Sequence, residues 1–199
     1  MISPRAHLTI RCVRATTLAV LLVAVPASPR AAEAFNLTPE QTSALEATRK
    51  GFGKGKKLQV EIEKMLGQAA ETNRTQLALK LASVVSEKWP DEASDAIGKL
   101  VQLLPAQSVP LVHAALKIAP KQARPIASAA MTASPTNSIL IASAAIQLVP
   151  AEGHAILEAA SWRVPKELKP QLEQLRASLP AEAMKPPPKP VKVENPFSK

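Results

Sequence analysis

Pro90, Pro105, Pro120, Pro135, Pro150, Pro165 and Pro180 stand one every 15 residues. A proline lacks the backbone donor a helix needs, collides with the turn before it and drives its predecessor out of the α region. No helix can run through this frame, so each interval holds at most one short helix. Internal repetition is therefore the first constraint on the fold. In register, two units nearly coincide: Ile126-Ala127-Ser128-Ala129-Ala130-Met131 matches Ile141-Ala142-Ser143-Ala144-Ala145-Ile146. Paired alanines recur in the same slots at Ala114-Ala115 and Ala159-Ala160.

Each unit carries one helix-forming stretch, and Pro110, Pro125 and Pro170 fall five residues after a frame proline, where the first turn of a new helix tolerates them. Connections this short join antiparallel neighbours. The expected fold is all-α: a right-handed stack of short antiparallel helical hairpins, an α-solenoid of 15-residue helix units and a 30-residue hairpin repeat, with disordered N- and C-terminal segments. It differs from a tetratricopeptide array, whose repeat is about 34 residues and whose tryptophan, leucine-glycine and tyrosine pattern is absent. The repeat domain spans 58–180. Its first unit is read as degenerate, a helix over Leu58 to Ala70 with Ala69-Ala70 in the alanine slots and Thr75 where proline is expected. Small side chains let helix axes approach, and Leu, Ile and Val fill the seams. No acid stands between Asp95 and Glu152, so the middle units should be flanked by protein on two sides.

Residues 1–34 have the plan of a secretory signal peptide: Arg5, Arg11 and Arg14, the apolar run Ala15 to Val25, then small residues from Pro26 to Ala34. Cleavage is expected after Ala34, with Ala27 as the alternative. The run is too short for a membrane anchor, which needs about 20 residues. Cys12 lies in this segment without the small apolar neighbours of a lipoprotein signal, so the exported chain has no cysteine for disulfides, thiolate sites or nucleophiles. The expected location is periplasmic or extracellular.

After removal of 1–34 the chain holds 21 basic and 15 acidic residues. The repeats are nearly neutral and lack a basic stripe with interleaved aromatic residues, which argues against nucleic acid. A unit helix of about 12 residues reaches about 18 Å, short of a hydrocarbon core of about 30 Å, which argues against a transmembrane span. Segment 35–57 reads as a short helix and a basic Gly/Lys loop. Thr38-Pro39-Glu40-Gln41 supplies a cap and first turn for a helix to about Arg49, and Lys50 to Lys57, with three of the six glycines, reads as mobile. Segment 181–199 is a Pro/Lys-rich extended tail, a spacer or a ligand.

His113 and His154 have no metal-ligand spacing, Asp91, Glu92 and Asp95 are explained by helix starts, and Gly51 to Lys57 lacks the spacing and final hydroxyl of a phosphate-binding loop. The expectation is no catalytic residue, no cofactor and no metal: a non-enzymatic scaffold with a protein partner. The alternative is a binder of an anionic envelope polymer or membrane surface, with Arg49, Lys50, Lys54, Lys56 and Lys57 as contacts. Trp89 and Trp162 are expected to pack, the alternatives being that they plug the solenoid ends or anchor a partner.

Overall fold

The computed structural model describes residues 36–49, 53–180 and 184. Residues 1–34, read above as a signal peptide, and, apart from Met184, the segment 181–199 lie outside these residues. Among the described residues all regular structure is helical. After α1 (Pro39–Ala47), α2 (Lys54–Gln68) and α3 (Glu71–Lys88) come six short helices: α4 (Ala93–Leu103), α5 (Ser108–Ile118), α6 (Ala123–Ala133), α7 (Ser138–Leu148), α8 (Gly153–Arg163) and α9 (Lys169–Ser178). None of the helices is long and apolar enough to cross a membrane among the described residues.

The frame prolines end helices as steric exclusion demands. Leu104, Ala119, Ser134 and Val149, each just before a proline, leave the α region with φ of −133°, −117°, −135° and −132° and ψ of 67°, 64°, 78° and 71°. Their N–H groups still close the helix behind them, as in Leu104 N–H to the Leu100 carbonyl at 2.9 Å. The proline then opens a three-residue 3-10 turn, closed by bonds such as Gln107 N–H to the Leu104 carbonyl at 2.9 Å. A unit is thus a 3-10 turn of 3 residues, a helix of 11 and one extended residue. The 3-10 turn is what satisfies the backbone groups left over at the helix junction.

Inside α4, α5, α6 and α7 the same positions are buried. In α6 they are Ala123, Ile126, Ala127, Ala130 and Met131, and in α7 Ser138, Ile141, Ala142, Ala145 and Ile146, an i, i+3, i+4, i+7, i+8 face. The second alanine of each pair, Ala115, Ala130, Ala145 or Ala160, is fully buried, and Ala114, Ala129 and Ala144 are half-buried. Each helix packs on the next and on the next but one: α2, α4, α6 and α8 form one contacting series and α3, α5, α7 and α9 another. The middle helix α5 touches α3, α4, α6 and α7, as its scarcity of charge requires. Across the repeat, Asn137 Nδ2 donates to the Pro105 carbonyl at 2.9 Å, 32 residues away.

Two expectations about the ends are corrected, and the last unit departs from the frame. Nothing interrupts the backbone at Thr75, so α3 runs on to 18 residues and the chain breaks at Ala69-Ala70 instead. That pair is therefore a helix end and not a mid-helix slot. The longer α3 shifts the register of its neighbours: Gln59 Nε2 meets the Asp95 carbonyl 36 residues on. Next, α2 begins at Lys54, four residues before the expected Leu58, because Gly53 takes φ 74°, open to glycine at little cost. Finally, Val164 and Pro165 are both extended, with ψ of 131° and 151°, so the last 3-10 turn and α9 start one residue late.

Leu100 is fully buried at a seam position, whereas Leu140 is 61% exposed. In urea unfolding, Leu100→Ala should cost about 2–5 kcal/mol, Ala145→Leu about 1–3 kcal/mol by overpacking, and Leu140→Ala no more than about 0.5 kcal/mol. Equal losses at 100 and 140 would contradict the assigned faces.

Candidate functional site

The five basic residues singled out by sequence do not form one site. Arg49 follows α1, and its guanidinium lies 3.4 Å from the Glu92 carboxylate and 5.6 Å over the Trp89 ring. Lys88 reaches Glu46 at 3.0 Å beside it. These contacts pin the end of α1 to the end of α3 and the turn at Pro90, so Arg49 has a structural task. Trp89 is 7% exposed. Lys50 lies outside the described residues. Lys54, Lys56 and Lys57, expected in a loop, occupy the exposed first turn of α2.

Three cations at a helix N-terminus oppose the helix dipole. An acid answers them: a methyl group on Gly55 would run into the Asp95 carboxylate, so glycine is what lets α4 bring Asp95 against the start of α2. One turn on, Lys99 of α4 meets Glu63 of α2 at 2.8 Å. Farther round α2, Lys56, Lys57, Val60 and Lys64 face Ala44, Ala47 and Thr48 across a groove of about 520 Å³, with Val60 65% exposed among the lysines.

A second groove of about 520 Å³ opens along α4 and α6. Its floor is Gly98 and Ala129; a β-carbon at Gly98 would sit 3.3 Å from that of Ala129, a tight fit. Gln59, Gln102, Ser128 and Thr132 give it amide and hydroxyl groups, and Asp95, Lys99 and Arg163 give it charge. Trp162 is 83% exposed, against the expectation that it packs. It holds on α8 the place of Thr132 on α6 and Gln102 on α4, at successive steps of 30 residues, so it continues a row whose other two members line the groove. Sequence reasoning missed this groove, although Gly98 as the lone glycine between Gly67 and Gly153, and the Gln102, Thr132, Trp162 row, were there to find.

His113 is exposed on α5 and His154 half-buried at the start of α8. Among the described residues no three His, Cys, Asp or Glu side chains gather as a metal ion would need. No protein-family model, curated protein or solved structure matches the chain.

The Arg49 contacts give a direct check. Arg49→Ala should lower unfolding stability by about 1 kcal/mol and alter Trp89 emission, with Arg49→Lys recovering only part because an ammonium lacks the planar stack. An Arg49→Ala chain as stable as the parent would show that α1 is held by Leu45 and its apolar neighbours alone.

Proposed function

We propose that the chain is an exported, non-enzymatic helical-repeat protein serving as a protein-interaction scaffold in the periplasm or cell envelope. Its repeats are taken as a right-handed α-solenoid of antiparallel 30-residue hairpins, a reading supported by the next-but-one packing of helices and the three-residue turns between them. Export rests on residues 1–34, and the non-enzymatic reading on the lack of a nucleophile or acid–base arrangement in motif context. One observation carries the scaffold reading: Trp162, 83% exposed, continues the row of Gln102 and Thr132, which line the α4–α6 groove. Tryptophan combines large apolar area with few rotamers and is enriched where partners are anchored. The groove offers polar groups for orientation beside it.

The second reading, a binder of anionic polymer or membrane surface, narrows to one face of α2. Arg49 is engaged with Glu92 and Trp89, while Lys54, Lys56 and Lys57 are exposed and Val60 adds an apolar contact. One exposed valine is little apolar area for an interfacial helix, so this surface would act by charge.

A photo-crosslinking amino acid placed at Thr132 or at Val60 in cells separates the readings. The scaffold reading expects protein adducts at 132 that Trp162→Ala reduces at least tenfold, on a product whose first residue is Phe35. Lipid or polymer adducts at 60 alone, abolished by replacing Lys54, Lys56 and Lys57 with glutamine, would favour the second reading. An adduct-free product retaining Met1 would overturn both.

A further inference from the structure

The charges around the α4–α6 groove are balanced except at one end. Lys99 meets Glu63 at 2.8 Å, and Arg124 of α6 lies 3.9 Å from Glu158 of α8. Asp95 faces the N-terminal turn of α2 at Gly55, where the helix dipole and the neighbouring lysines favour a carboxylate. Arg163 lines the groove from the last turn of α8, is exposed, and makes no ion pair with any described residue. Its position at the C-terminal end of a helix favours the cation without consuming its five donors. The uncompensated group of the groove is thus a guanidinium, which takes a carboxylate in a two-pronged bond. Beside it in sequence stands the exposed indole of Trp162.

The spacing of the polar groups suits a backbone. Packed helices lie about 8–10 Å apart, and three residues of an extended peptide span about 10 Å. A strand laid across α4, α6 and α8 would meet one member of the row Gln102, Thr132, Trp162 at every third residue. The floor at Gly98 and Ala129 has no side chain larger than a methyl group, which lets a backbone approach closely.

We infer that this groove docks an extended peptide carrying a carboxylate next to a proline or aromatic residue. The carboxylate bonds Arg163, the ring stacks on Trp162, and the peptide groups bond Gln102 and Thr132. This rests on the scaffold reading and specifies the partner's chemistry. A sugar ring would also stack on the indole, but a neutral glycan would not call on the guanidinium.

Two acetylated, amidated peptides of sequence GSPFEE and GSPFKK, together with a neutral chito-oligosaccharide, are titrated into the full chain while tryptophan emission is read. The acidic peptide should bind at least tenfold more tightly than the lysine peptide, and less tightly as salt rises. Arg163→Glu should reverse that preference, and Trp162→Ala should weaken the acidic peptide at least tenfold. Both side chains are exposed, and circular dichroism confirms that the variants keep their helices. Equal binding of the two peptides, binding of neither, or glycan binding unchanged by Arg163→Glu overturns the inference. If the peptides fail while protein adducts still form at position 132, the scaffold reading stands without it; if both fail, both fall.

Discussion

A proline lacks the donor a continuing helix needs and its ring crowds the turn before it, and the chain meets that block every 15 residues from Pro90 to Pro165. Everything regular in the fold follows from it. The residue before each of Pro105, Pro120, Pro135 and Pro150 is forced to ψ near 70°, the chain turns through one 3-10 segment, and an 11-residue helix begins again in the same phase. Because the phase repeats, the same five positions of α4, α5, α6 and α7 are buried, and a sequence of small and branched apolar residues suffices to build the core. Short helices of this kind are marginal alone, so their stability is that of the packing between them.

That packing explains the alanines. The fully buried Ala115, Ala130 and Ala145 bring helix axes close, and at Gly98 the approach to Ala129 leaves little room even for a methyl group. Close approach at Gly98 and Ala129 also puts only small side chains between α4 and α6 there, which leaves room for a groove along the two helices. The groove and the core are thus two consequences of one choice of residue size. Trp162 departs from this pattern: among small neighbours it presents a large ring to water, and it is the departure that directs attention to function.

Much of this was legible in the sequence, because the determinants are local. The Thr38 cap forms with Gln41 in both directions, at 3.2 Å and 2.9 Å, as their spacing implies. Each of the seven frame prolines stands two residues after a helix ends, from Lys88 before Pro90 to Ser178 before Pro180. Where the frame stops at Thr75, local reasoning fails: Ala69-Ala70 was assigned to the alanine slots of a degenerate unit closing at Thr75, yet the helix ends at Gln68 and α3 runs through Thr75 without a break. The site was less legible, since its members meet only in three dimensions. Arg49 looked like part of a basic loop; its partner Glu92 is 43 residues away and its ring partner Trp89 belongs to another helix end. Asp95 lies in the first turn of α4, as its reading as a helix-start acid implies, and its carboxylate also faces the start of α2, which sequence could not show.

The central claim is that helices pack in two alternating series, so that residues about two units apart become neighbours. Cysteine pairs test it without interference once Cys12 is replaced by serine, since the chain has no other cysteine. Gly98→Cys with Ala129→Cys places two β-carbons near the separation a disulfide takes, from α4 to α6. Gly98→Cys with Ala144→Cys puts the second thiol in the equivalent slot one unit on, in the other series. Under mild oxidation the first pair should form an intramolecular disulfide, seen by gel mobility and peptide mass, and the second should stay reduced. A reduced 98–129 pair, or equal cross-linking of both pairs, would contradict the two-series packing.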